Sequence, residues 1–473
     1  RTIGSALLLI DHIGEYAELQ FTQDQKDRLI EYLTSDEKAI FKGAKSVVLS
    51  GVGDDPYLLN QLISLTESEE TTKQARATET LATIANVYPN DLRSSIDDTR
   101  ITELISEGNE EVCKHVFAFL HFLVELDEDN IPANIMDSIE YYLVKNEEIP
   151  GMFFSLLVNI IEAQPNRVLS SDVPGMLPDL FEKGDVTTRR GSLRMVYELL
   201  NSAPEDAENP FEVSKIRDLL SADEETIRDA AAQLFGATVA TDQSYREEVF
   251  GNVGDYPQID LILTHAVLVD EDLIDSVISL LSEQVDQSRI IGLRALNRIC
   301  THSESSVSLS DLDCLEAIID CFESDQGVEA VSLLAASVNE DPEQLSQTGI
   351  TSEFVDRITA NPSEDMLANI AKAMNAFAKI EDANLVATEG YEELIDVITD
   401  ANTDTEGGTS ALNSAALDDP NVRRDLQERL TGPDTEQANL SISILGNLID
   451  EQPESALEID LMTSLSEVIT ERH

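Results

Sequence analysis

Seven prolines set the frame for this chain: Pro56, Pro89, Pro165, Pro204, Pro342, Pro420 and Pro453, with gaps of 33, 76, 39, 138, 78 and 33 residues. Read as one, two, one, four, two and one units, the gaps give a step of about 36 residues, within the range of helical repeats. The residues upstream keep the same step. Eight before each proline stand Val48, Leu81, Leu157, Val196, Leu334, Leu412 and Leu445; four before stand Val52, Ala85, Ile161, Leu200, Val338, Ala416 and Ile449. All fourteen are apolar in a chain that is 42% hydrophobic, so composition alone does not produce the register. Twelve before stand Ala44, Ala77, Phe153, Ser192, Ala330, Gly408 and Ser441, small in every case but Phe153. Spacings of four and eight put these residues on one helix face, with the small one where a neighbouring helix must come close. Proline then ends the helix, because it lacks the amide proton and disfavours helix in the residue before it.

The pattern also locates units that lack the proline. Leu120/Val124 place an equivalent near 128, Phe235/Val239 near 243, Leu296/Cys300 with Gly292 near 304, and Ala373/Phe377 near 381. The unit near 270 is the weakest, and the repeats over about 243–285 read as shortened. Leu9/Ile13 with Ser5 imply an equivalent near 17. Residues 1–20 therefore read as the last helix of a truncated unit, with more repeat expected upstream. Each unit carries an earlier amphipathic helix, as at Leu58–Leu65, Leu273–Leu281 and Leu394–Ile398. A polar cap and first-turn acids open the next helix, as at Ser35-Asp36-Glu37 and Ser324-Asp325. No stretch alternates with the period of a strand. The expected fold is all-α, residues 1–473 forming one continuous solenoid of about 12 to 13 repeats.

Asn339-Glu-Asp-Pro342-Glu-Gln-Leu345-Ser-Gln-Thr-Gly349-Ile350, followed by Glu353–Ile358, resembles the short first helix, Gly turn and second helix of an armadillo repeat. Glu389-Gly390-Tyr391 repeats the turn, and Ile444-Leu445-Gly446-Asn447-Leu448 resembles the end of the third helix. The chain thus looks like the armadillo/HEAT superfamily, which implies a right-handed superhelix with a concave groove lined by the third helix. In peptide-binding members an Asn of that helix holds a peptide backbone and a Trp one turn earlier packs its side chains. The matching positions here, six before each proline, are Ser50, Thr83, Asn159, Glu198, Ala336, Ser414 and Asn447. One turn earlier stand Ser46, Glu79, Ser155, Arg194, Ser332, Ser410 and Ser443, and the chain has no Trp. The regular Asn/Trp ladder is mostly missing, which argues against a basic import-type peptide held by that mechanism. Thr83, Ser155, Asn159, Arg194, Glu198, Ser332, Ser414, Ser443 and Asn447 are the expected partner-binding residues of a broad, shallow groove. A solvated surface without a ligand would suit them equally.

Charge narrows the partners. The chain holds 31 Lys and Arg against 92 Asp and Glu, a net charge of −61. Such a chain is expected to bind neither nucleic acid nor an anionic membrane, because it cannot replace the counterions of phosphates. The acids are spread along the whole length, as in haloarchaeal proteins, whose salt-loaded cytoplasm the composition resembles. At about 1 M salt the Debye length falls to about 3 Å and self-repulsion is screened, so high K⁺ is expected to be needed for stability. No apolar run reaches the length of a membrane helix. A cytoplasmic protein of a halophilic archaeon is expected.

The search for chemistry yields little. No Walker loop, Gly-x-Gly-x-x-Gly, Gly-x-Ser-x-Gly or His-Glu-x-x-His is present. His115 and His121 lie about 240° apart around their helix and cannot share a metal. Cys113, Cys300, Cys314 and Cys321 lack the paired short spacings of a zinc site and read as buried core thiols. Asp127–Asn130 lacks the Gly and closing Glu of a calcium loop and reads as an acidic turn. No cofactor, metal or catalytic residue is expected. Basic residues cluster at Lys38/Lys42/Lys45, Arg189/Arg190/Arg194 and Arg289/Arg294/Arg298, and read as salt-bridge partners between repeats. A non-catalytic scaffold or adaptor, holding a protein partner on its concave face, is the expected function. The alternative is a regulatory subunit of a larger enzyme or chromosome-organising complex.

Overall fold

The computed structural model describes residues 21–49, 55–127, 131–146, 148–283, 285–303, 314–321, 327–340, 364–378, 390–399 and 419–451, with isolated residues elsewhere. The chain divides into two compact units, Arg1–Gln243 and Ser244–His473. Every regular element among the described residues is helical.

The first unit contains α1 (Gln23–Leu33), α2 (Lys38–Leu49), α3 (Pro56–Leu65), α4 (Thr71–Val87), α5 (Pro89–Ser95), α6 (Asp98–Glu107), α7 (Glu110–Leu126), α8 (Ile135–Lys145), α9 (Gly151–Ala163), α10 (Pro165–Leu169), α11 (Val173–Lys183), α12 (Val186–Ser202), α13 (Val213–Leu219) and α14 (Glu225–Thr241). The long helices α2, α4, α7, α9, α12 and α14 pack in that order, each against the next. The shorter helices form a second layer, in which α1 meets α3, α6 meets α8 and α8 meets α11. Acids open the helices as their dipoles favour. Asp97, Asn109 and Asp185 accept the backbone N–H of Arg100, Val112 and Thr188, and Asp55 accepts those of Tyr57 and Leu58.

Three corners of this unit share one backbone geometry. Tyr88, Gln164 and Ala203 have φ/ψ of −128/56°, −143/64° and −145/63°. Each donates its N–H to the carbonyl four residues back, on Ile84, Ile160 and Leu199. The proline follows directly, and at Pro89 and Pro165 it is also the first residue of the next helix. Pro56 and Pro420 open helices in the same way. Proline therefore does more than the sequence reading assigned to it: it also begins the next helix, where a missing N–H costs nothing. Three units without it end on Asp127, Asp242 and Asp270, one residue after the helix, and the unit near 304 ends on His302. The corner residues Pro342, Pro453, Val52 and Gly408 lie outside the described residues, as do 128–130, Ser324-Asp325 and all of 341–358 except Phe354.

The recurring positions form the core. Ala44, Ala77, Ser192, Ala330 and Ser441 are fully buried, as are Leu81, Leu157, Val196, Leu334 and Leu412. Ile449 departs from the pattern at 43% exposed. Phe153, the large exception at the small position, packs in an aromatic cluster with Phe117 and Tyr142, its ring centroid 5.0 and 5.8 Å from theirs. The neighbouring Phe154 is accommodated by Gly191 of α12. A Cβ on that glycine would lie 2.6 Å from Phe154 Cδ1 and closer still to Cγ and Cδ2.

The second unit contains α15 (Gln243–Gly251), α16 (Ile259–Val269), α17 (Ile274–Ser279), α18 (Asp286–Thr301), α19 (Leu315–Ile319), α20 (Gly327–Glu340), α21 (Glu364–Ala378), α22 (Tyr391–Thr399), α23 (Pro420–Thr431) and α24 (Thr435–Glu451). Here α16, α18, α20 and α21 pack in series, and α22 and α23 pack on α24. Three 3-10 turns, Val253–Asp255, Glu271–Leu273 and Leu280–Ser282, interrupt the segment 253–282. Gly390 has φ of 89°, a left-handed turn open to glycine, just before α22. All four cysteines are buried free thiols, and burial pushes the Cys113 thiol up to about 11. Cys314 and Cys321 flank the short α19.

Candidate functional site

One face of the long helices carries a regular set of accessible residues in the first unit. Residues 14, 10 and 6 before each corner lie one turn apart along each helix. On α4 they are Ala75, Glu79 and Thr83; on α7, Lys114, Ala118 and Phe122; on α9, Gly151, Ser155 and Asn159; on α12, Arg190, Arg194 and Glu198. Every one of these twelve is half-buried or exposed, although the residues between them are largely core. The grid closes at α14, where Ala237 is fully buried.

The grid therefore gathers Thr83, Ser155, Asn159, Arg194 and Glu198, five of the residues expected from sequence. In the second unit Ser332 is half-buried, Ser443 and Asn447 are exposed, and Ser414 lies outside the described residues. The local chemistry favours hydrogen-bond acceptors. The Thr83 hydroxyl donates to Glu79 O at 2.9 Å and that of Ser155 to Gly151 O at 3.4 Å, so both present lone pairs. Asn159 Nδ2 sits 3.0 Å from His121 Nδ1 and donates to His121 O at 3.4 Å, across one repeat. Asn447 Nδ2 donates to Asn413 Oδ1 at 3.3 Å, again across one repeat. His121 was not singled out as a groove residue from sequence, because its role depends on which neighbour faces it.

Charged groups along this face pair mostly across repeats. Lys45 reaches Glu79 at 2.8 Å, and Arg76 reaches the same carboxylate at 3.2 Å while stacking over Phe41 at 4.1 Å. Burial works to raise the Glu79 carboxyl, but the Lys45 hydrogen bond and the charges of Lys45, His115 and Arg76 outweigh it and hold the group below its ordinary range. Burial also lowers the neighbouring His115. Elsewhere Arg294 meets Glu329 at 2.7 Å, Arg298 meets Asp260 at 2.8 Å and Lys215 meets Glu182 at 2.7 Å. The basic clusters thus divide: Lys45, Arg294 and Arg298 bridge repeats, Arg194 pairs with Glu198 of its own helix, and Arg289 donates to the carbonyl of Glu283.

No protein-family profile matches the chain, and no curated protein does. Solved structures give distant likenesses. One is of Kap95p with RanGDP, at 13% identity over 94% of this chain and 65% of that one, with a TM-score of 0.46. Another is of the karyopherin Kap121p bound to the extreme C-terminus of the protein phosphatase Cdc14p, at 14% identity, 98% and 52% coverage and a TM-score of 0.48. A third concerns cadherin and β-catenin, at 11% identity, 95% and 90% coverage and a TM-score of 0.36. The chain spans 65% and 52% of the length of the Kap95p and Kap121p chains. Scores below 0.5 transfer neither partner nor activity. What the register and the packing give, within each unit, is an all-α series of stacked helical repeats.

On the second layer, a groove of about 340 Å³ runs between α8 and α11, lined by Leu143, Val144, Met176 and Leu180 with Asp179 and Lys183. Val144 is 74% exposed, and Tyr141 beside it lies under the Lys145 ammonium at 4.1 Å. Among the described residues no helix is long and apolar enough to cross a membrane, and no three ligating side chains are grouped for a metal.

Proposed function

We propose that this protein is a non-catalytic scaffold or adaptor that holds a protein partner along the exposed face of its long helices, the concave face of one continuous solenoid. The observation that carries the reading is the grid of half-buried small and polar residues at one register on α4, α7, α9 and α12. Stacked repeats expose long surfaces of this kind and suit binding more than chemistry. The distributed net charge of −61 supports a salt-loaded, halophilic cytoplasm as its setting. The groove beside the exposed Val144, half polar and half apolar in its lining, is the feature that favours the second reading, a subunit held permanently in a larger complex.

Photo-crosslinking side chains placed singly at Ser155, Asn159 and Val144 of the full chain, in its native host, separate the two. The scaffold reading expects one partner captured from Ser155 and Asn159 and released by bulky substitution at Ala118. Capture from Val144 alone would move the interface to the second layer and end the proposal.

A further inference from the structure

The register that defines the grid also sorts charge. The long helices α2, α4, α7, α9, α12 and α14 hold ten Lys and Arg against eight Asp and Glu, in a chain with 31 against 92. Some of these cations hold the stack together. Lys45 pairs with Glu79, Arg189 faces Glu224 at 4.0 Å, and Arg228 Nη1 donates to the carbonyls of Ala222 and Asp223. Lys42, Lys114 and Arg190 do not. All three are exposed, and none makes a hydrogen bond or ion pair among the described residues.

These three occupy one register. Each is the fifth residue of its helix, α2, α7 or α12, and each stands fourteen before its corner. At the same position the intervening helices α4 and α9 carry Ala75 and Gly151. A cation therefore alternates with a small residue along the stack. One turn further on, α7 offers Ala118 and α12 offers Arg194, which is itself exposed.

We infer that this row binds an extended, acidic segment of the protein partner, one carboxylate to each cation. The inference rests on the reading that the long-helix face is the partner surface, and it names the chemistry of what lies there. Neighbouring helices pack about 8–10 Å apart, so cations on every second helix stand about 16–20 Å apart. An extended chain covers that distance in about five to six residues. The fitting segment thus carries Asp or Glu about every six residues, with small or polar residues between to lie over Ala75, Ala118 and Gly151. A nucleic acid fits less well. Its charges recur every 3.4 Å or so along a strand, far closer than these cations, and the acidic remainder of the chain repels a polyanion. Salt at about 1 M leaves only direct-contact pairs unscreened, so the row selects by position and not by long-range attraction.

The test uses the full chain in concentrated KCl and fluorescein-labelled peptides of about twenty residues, followed by anisotropy. One peptide spaces Glu about six residues apart in a Ser/Asn/Gly background, one gathers the same acids at one end, and one replaces Glu with Lys. The spaced acidic peptide should bind more tightly than either of the others. The triple variant K42S/K114S/R190S should weaken it about tenfold. An R294S variant, in the second unit, should leave it unchanged. Because the three side chains are exposed and make no ion pair among the described residues, the triple variant should keep its circular dichroism and urea midpoint. Equal binding of all three peptides, an unaffected triple variant, or tighter binding of oligo-dT of equal charge would each overturn the inference. A partner still crosslinked at Ser155 and Asn159 would then leave the scaffold reading standing and remove only the acidic row.

Discussion

Replacing three glycines by alanine separates the contribution of repeat packing from that of helix propensity. Gly191, Gly292 and Gly446 all lie inside long helices, where alanine is favoured by about 1 kcal/mol. At Gly446 an added methyl meets nothing within 4 Å, so Gly446→Ala should gain that full amount. At Gly292 the methyl would lie 3.1 Å from Leu280 Cβ and Leu281 Cδ2 and 3.4 Å from Val277 O. A shift of a few tenths of an ångström relieves this, and the net effect should be near zero. At Gly191 the methyl meets three carbons of the Phe154 ring, at 2.6 Å or less. That ring is itself buried and set edge-on against Phe153, with centroids 5.5 Å apart. Overpacking of a held ring costs about 1–3 kcal/mol, so after the helix-propensity gain Gly191→Ala should lose about 1 kcal/mol net. Urea unfolding in concentrated KCl, followed at 222 nm, gives the ranking without changing ionic strength. Hydrogen exchange then shows whether the loss falls on α9 and α12, as nearest-neighbour stacking requires. A Gly191→Ala protein as stable as its parent, or a Gly446→Ala protein as damaged as Gly191→Ala, would refute the idea that the close approach of Phe154 requires glycine at position 191.

Further outcomes are expected. Burial, helped by His302 and Arg298, lowers His265 to about 4. The unfolded chain then takes up that proton first as pH falls below about 6.5, and up to about 3 kcal/mol should be lost by pH 4; urea midpoints of His265→Asn should show a shallower slope over that window. The depressed Glu79 carboxyl adds stability that is present above its ordinary pKa and lost as pH falls through the lower folded value, and a double-mutant cycle of Lys45→Ala with Glu79→Ala should give a coupling of about 0.2–1 kcal/mol. Dialysis from concentrated KCl into dilute buffer should collapse the helical circular dichroism, and full retention would count against adaptation to salt.

The helices were legible because periodicity is a property of one segment. Leu81 with Ala85, or Leu157 with Ile161, announce a buried face whatever lies opposite, and acids at Glu110 and Glu225 announce helix starts. Pairings between segments were hidden. Nothing near Gly191 in sequence shows that Phe154 will press on it, and nothing near Asn159 points to His121. Lys42 and Arg190 stood out as members of basic clusters, yet Lys114, with no other Lys or Arg on its helix, did not. Their common register could be counted from the corners, but that all three side chains are exposed at it needed the structure. Ile449 kept the apolar pattern but not the burial, because burial depends on what covers a face and not on the face alone.

Within the first unit each long helix packs against the one before and the one after it in sequence, and this has a mechanical consequence. Within a unit, a pull on the chain loads one interface at a time, so the stack should give way in instalments and not all at once. An extended segment of about 36 residues spans about 120–130 Å. Stretching a single molecule should therefore draw out a staircase with treads of about that length, and a repeat that had yielded could rewind on its intact neighbour when the force relaxed.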